Sequence, residues 1–161
     1  MKNFLPLGMA SLFFWTATIF GGSTGGQERG GNDGVREKFI GAWRLAWLEE
    51  PDAEGKIHRA DCTGLLVYTR DGHISVQVMY RNPQAGSQRG PVQYAQGGYE
   101  ASFGTYKIEE GGHTFTFHVE GAMVRSLIGK DLPRAFEITG NQMIVHSTDP
   151  KELWRVAWQH Y

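Results

Sequence analysis

The stretch GLLVYTRDGHISVQVMY, Gly64 to Tyr80, decides the architecture. Two runs rich in β-branched and aromatic residues flank Arg70-Asp71-Gly72. Asp-Gly between two such runs is a strong hairpin signal, because both residues tolerate the left-handed backbone of a tight turn. The same grammar extends in both directions. ASFGTYKIEE and TFTFHVEG flank Gly111-Gly112, and RAFEIT and QMIVHS flank Gly140-Asn141. AWRLAWLEE stands before the central hairpin and ELWRVAWQHY closes the chain. KIHRA, Lys56 to Ala60, is short and fits an edge strand or a loop.

This makes about eight strands joined as sequence neighbours, with no helix-length amphipathic segment between them. The expected class is all-β, an up-and-down antiparallel β-barrel of about eight strands, because closure removes the exposed sheet edges. Two connections break the rhythm. Arg81 to Gly98, rich in Gly, Gln and Pro, has the length of a lid or binding loop. Val124 to Asp131 is a second irregular link with room for one helical turn.

The 161 residues suit one domain with a real core. Formal net charge is -1 with acids and bases interspersed, so no basic stripe points to nucleic acid. Residues 1–26 have the layout of a secretory signal peptide: Lys2, then no charge from Phe4 to Phe20, then the small residues GGSTGG. A membrane anchor is the alternative, but the run is short for a span of ~20 residues and contains Pro6. The expectation is a secreted or periplasmic protein with no stable membrane span after cleavage. Residues 27–37 are polar and Gly-rich, as a flexible leader would be, and 38–161 form the barrel domain. Cys62 is the sole cysteine, so no internal disulfide forms, and an inert, partly buried thiol is expected.

Several segments resemble one family. FIGAWRL, Phe39 to Leu45, carries the Gly-x-Trp that opens the first strand of lipocalins and fatty-acid-binding proteins. GLLVYTRDGHISVQVM, FGTYKIEE, HVEG and RAFEITGNQMIV are similar in order to segments of the lipocalin-like domain family of bacteria and fungi. The resemblance covers Phe39 to Trp158 and implies a calycin barrel around an apolar cavity, binding a small hydrophobic or amphipathic molecule. It also implies two alternatives: a cofactor-free isomerase or cyclase using the same pocket, or a structural barrel whose lumen is filled by side chains. Binding is favoured over catalysis. The chain departs from the family where Phe117 replaces a second His, and where Ala122 and Arg125-Ser126-Leu127 replace a Ser and a Pro-Asn-Trp segment. A first-strand Trp packed beneath a last-strand Arg is a calycin feature, and the resemblance assigns barrel closure to Trp43 and Arg155.

The remaining candidates come from strand parity. Arg134 shares a face with Phe136 and Ile138, so it points inward if they do. A guanidinium in an apolar lumen needs a partner, and Glu120 on the preceding strand is a candidate. His118 and Glu120 would then line the lumen with Arg134, receive a ligand, or serve as general base in an enzyme. Simple alternation says the opposite: Phe115, Phe117 and Val119 face the core and leave His118 and Glu120 in water. Tyr68, Tyr106 and Met79 complete the candidate ligand-binding set, although strand aromatics are more often ordinary core. No third ligand joins His118 and Glu120 by any recognised metal spacing, so no metal and no cofactor is expected.

Overall fold

The computed structural model describes residues 29–82, 98–109, 111 and 113–161. The expected signal peptide, residues 1–26, and most of the Arg81–Gly98 connection lie outside the described residues. Among the described residues one helix, α1 (Arg29–Phe39), precedes nine strands. They are β1 (Gly41–Pro51), β2 (Ile57–Arg59), β3 (Cys62–Tyr68), β4 (His73–Tyr80), β5 (Tyr99–Ile108), β6 (Thr114–Ala122), β7 (Asp131–Thr139), β8 (Gln142–Ser147) and β9 (Arg155–His160). A 3-10 turn, Arg125–Leu127, lies between β6 and β7.

The sheet order is β2-β1-β3-β4-β5-β6-β7-β8-β9, and β1 also pairs with β9. All pairings are antiparallel, so β1 and β3 to β9 close an eight-stranded barrel. The short β2 adds only to the far end of β1, at Glu49 to Pro51. The quoted hairpin forms as its sequence requires: Gly72 takes φ 94° in the turn, and Leu66 pairs with Val76. Alternation then sends Leu66, Tyr68, Ile74 and Val78 into the barrel, where each is buried.

Two bulges interrupt this alternation. Between Leu45 and Trp47 the β1–β9 register shifts, leaving Ala46 as the extra residue. Trp43 and Leu48 therefore both face inward, although they are five residues apart. The β5–β6 register shifts after Phe103, leaving Glu120 unpaired on β6. An extra residue of this kind bends the strand and re-aims the side chains beyond it.

The segment expected as a flexible leader is helical from Arg29 to Phe39. Three glycines, Gly30, Gly31 and Gly34, hide the helix in a propensity reading. Docking accounts for it, as packing outweighs propensity in most protein helices. Phe39 is fully buried in the core, Val35 packs against it, Arg36 Nη2 donates to the Arg70 carbonyl at 3.0 Å, and Arg70 pairs with Glu37. Arg36 and Lys38 also lie in the last turn, where cations favour the helix dipole.

Candidate functional site

The lumen has two unlike ends. At one, Phe39 from α1 sits among Tyr68, Tyr106, Phe115 and Phe136, with ring centroids 4.7 to 5.8 Å away. Edge-to-face and stacked rings at these distances attract beyond their burial alone. Trp43, on the first strand, donates its indole N–H to the Phe39 carbonyl at 2.8 Å and packs edge-on against His160 at 4.7 Å. Helix, first strand and last strand together cork this end.

The other end is polar. Tyr80, Glu100 and Arg134 line the cavity there with Ser102 and Trp154. Tyr80, Glu100 and Trp154 are only half-buried, so this is where the lumen meets solvent. The cavity measures about 120 Å³, and its remaining lining is largely Leu, Val, Phe and Trp.

Arg134 points inward and is buried, as its shared face with Phe136 predicts. Its partners come from an unexpected quarter. Nη1 donates to the Pro133 carbonyl at 3.0 Å and to Ser147 Oγ at 3.5 Å, and lies 3.7 Å from Glu152 Oε2. The guanidinium also stacks over Trp154 at 5.1 Å. Glu120 is not among these partners. It is exposed on the outer wall, and the expectation that it accompanies Arg134 is corrected.

Simple alternation wins on β6. Phe115, Phe117 and Val119 are buried, while His118 and Glu120 are exposed. His118 Nδ1 lies 2.7 Å from Asp131 Oδ1 on the outer surface. Neither residue reaches the lumen, so neither can hold a lumen ligand or act as base on one. Met79 is corrected likewise: it is 45 % exposed, on the face of β4 opposite Val78 and Tyr80. Tyr68 does line the cavity, whereas Tyr106 belongs to the aromatic cork and gives its hydroxyl to the Thr69 carbonyl at 3.2 Å.

The two residues assigned to barrel closure are not brought together. Trp43 is buried at the corked end, but Arg155 is exposed and pairs in register with Glu49 and His146. On β9 the inward residues are Val156, Trp158 and His160, so Arg155 takes the outer face. His160 supplies the contact expected of the arginine.

Sequence reading missed Glu100, Glu50 and Tyr80. Glu100 shares parity with Ser102 and Tyr106 along β5, which was the available signal. Burial raises its pKa to about 7, with Arg134 pulling only partly the other way. Glu50 is buried on β1 and accepts a hydrogen bond from the Tyr80 hydroxyl at 3.0 Å. Burial raises its pKa, against the Tyr80 hydrogen bond and the nearby His58. Cys62 is buried, and burial pushes its thiol up to about 11, so it is no ready nucleophile. Among the described residues no group of three or more His, Cys, Asp or Glu is placed to hold a metal ion. Among them also, no helix is long and apolar enough to cross a membrane.

A closed antiparallel barrel with an apolar lumen and a few inward polar groups is the calycin type of architecture. The family model of the lipocalin-like domain matches residues 40–160, and the chain belongs to that family. Among solved structures, a redesigned beta barrel is 10 % identical and superimposes with a TM-score of 0.44, covering 79 % of this chain and 95 % of its own. An uncharacterized protein from Bacteroides eggerthii is 14 % identical with a TM-score of 0.45, covering 76 % of this chain and 99 % of its own. No curated protein matches the chain.

Proposed function

We propose that the protein is exported and holds a small apolar or amphipathic molecule in its lumen. The molecule's apolar body lies against Leu66, Val78, Phe117 and Val145, and its polar end lies between Arg134 and Glu100. The observation that supports this is the cavity itself, about 120 Å³ of largely apolar space with charged groups at one end only. A water needs roughly 10–15 Å³ of such space, so the lumen has room for much more than solvent trapped between side chains. A barrel filled by its own side chains would not leave it. Affinity then comes from burying apolar surface, with the polar groups fixing orientation. Catalysis by His118 or Glu120 is disfavoured, since both stand on the outer wall. Export rests on the uncharged run Phe4 to Phe20 and the small residues after it.

Native mass spectrometry of the protein secreted by its own host tests both halves. The expected mass begins near Gly25 to Gln27 and carries a bound small molecule that organic extraction removes. A chain retaining its first 20 residues in a membrane fraction sinks export. An empty barrel whose Trp154 and Trp158 fluorescence ignores added 1-octanol sinks the binding function.

A further inference from the structure

Among the described residues, the polar end of the barrel holds more acid than base: Glu152 pairs with Arg134, Glu100 lines the cavity with it, and Glu50 is buried against Tyr80. That arginine has its own anion in Glu152, a carbonyl from Pro133, the Ser147 hydroxyl and the Trp154 ring. Glu50 has the Tyr80 hydroxyl at 3.0 Å and His58 at 3.9 Å. Glu100 is different: within the described residues it makes no hydrogen bond and no ion pair, although it lines the cavity. Its half-buried carboxyl stands at the mouth with no protein donor, so a ligand that covers it must bring a donor of its own or leave it unsatisfied.

We infer that Glu100 is the docking point for a positively charged amine, so that the ligand is an amphipathic amine with its ammonium on Glu100 and its hydrocarbon in the lumen. This deepens the binding function proposed above and rests on it. Charge balance favours a cation. With Arg134 and Glu152 already closed as a pair, an ammonium on Glu100 leaves no net charge, whereas a bound anion leaves an excess in a low-dielectric space. The surroundings suit an ammonium as well. Tyr80, on the neighbouring strand, lines the cavity beside Glu100 and adds a polarisable ring near the site.

The state of Glu100 in the empty barrel agrees with this role. Burial lifts its pKa to about 7, so near neutrality the carboxyl is poised to lose its proton to solvent as an ammonium arrives. Among the described residues, the other charged or titratable groups at this end include Arg134 from β7, Tyr80 from β4, Glu50 from β1, Glu152 ahead of β9, Cys62 from β3 and His58 from β2. The inward residues of β6 that line the cavity are Phe115 and Phe117, which do not titrate.

Calorimetric titration with n-octylamine, 1-octanol and octanoate at pH 8 decides the matter. Octylamine is expected to bind at least about tenfold tighter than octanol, and octanoate more weakly than octanol, as a charged hydrogen bond in a dry site implies. Glu100→Gln keeps the side chain's shape and should bring octylamine to within about threefold of octanol while leaving octanol unchanged. Octylamine affinity should fall about tenfold from pH 8 to pH 6 in the native protein, since a carboxyl titrating at about 7 loses most of its charge over that range, and stay flat in Glu100→Gln. Arg134→Met should retain the amine preference. Octanoate binding tightest, with Arg134→Met abolishing it, overturns the inference, as does an amine preference that survives Glu100→Gln. Octanol binding with no amine preference overturns it alone. Failure of all three probes to bind overturns the binding function with it.

Discussion

The two ends of the barrel solve opposite problems with the same strands. At the corked end, β3, β5, β6 and β7 send Tyr68, Tyr106, Phe115 and Phe136 inward around Phe39, which is 0 % exposed. At the polar end, β4, β5 and β7 send Tyr80, Glu100 and Arg134 inward, and the space between them stays open. Ring-against-ring packing stabilises the fold. Charges left facing a cavity do not, and on the binding function proposed above they are the groups that would meet a ligand's polar end. Truncating the cork should therefore be the most damaging change. Phe39→Ala removes a ring packed on four others and should cost about 3–5 kcal/mol in a urea melt, with the loss appearing as a lower midpoint. A loss under about 1 kcal/mol would show α1 to be an ornament and the barrel to be closed by its strands alone.

The polar end should respond in the other direction. Glu100 has a folded-state pKa of about 7 against an ordinary 4.5, so the folded protein holds that proton more tightly than the unfolded chain. Stability is then highest below pH 4.5 for this group and declines as pH rises to about 7, the reverse of a salt-bridged carboxylate. The full decline is at most about 3 kcal/mol, at roughly 1.4 kcal/mol for each pH unit between the two values. Glu100→Gln has no charge to bury. It should match the native protein near pH 4 and exceed it at pH 8, while the buried Glu50 contributes the same slope to both. Melts at several pH values check this, and parallel stability curves for the two proteins would mean that folding does not raise the pKa of the Glu100 carboxyl.

Much of this contrast was legible in the chain, and the illegible part has physical causes. Turn residues such as Asp71-Gly72 announced the hairpins, and the lack of amphipathic helices between strands announced closure. Arg134 was placed inward by its parity with Phe136, correctly. Its partner was misassigned because strand patterns say nothing of loops: Glu152 lies in the connection between β8 and β9, with no periodicity to betray it. Arg155 was misplaced because a motif was followed where parity with Val156 and Trp158 would have put it outside. The bulge at Ala46 shifts the register with no glycine or proline to signal it, whereas Gly121 and, across the ladder, Gly104 flank the one at Glu120. Glu100 could have been found from Ser102 and Tyr106, two and six residues along the same face. The helix of Arg29–Phe39 could not, since its glycines speak against it and tertiary contacts of Val35, Arg36, Glu37 and Phe39 hold it in place.

The smallest expected effect lies on the wall between the two ends, in the stretch TFTFHVEG. Its inward row, Phe115, Phe117 and Val119, belongs to the core, and its outward row ends in His118 and Glu120. A charge that faces water has little to lose when it is removed. Glu120→Gln should change stability by no more than about 0.5 kcal/mol, as at an ordinary surface site. His118→Gln removes an exposed pair with Asp131, and such pairs contribute at most about 1 kcal/mol, screened further by salt. Repeating both melts at high salt should shrink even that difference. Octanol affinity should be the same in both variants as in the native protein, because neither side chain touches the lumen. A several-kcal/mol loss from Glu120→Gln would instead mean that Glu120 is drawn inside beside Arg134, and the division between a wet outer row and a dry inner row on β6 would fail with it.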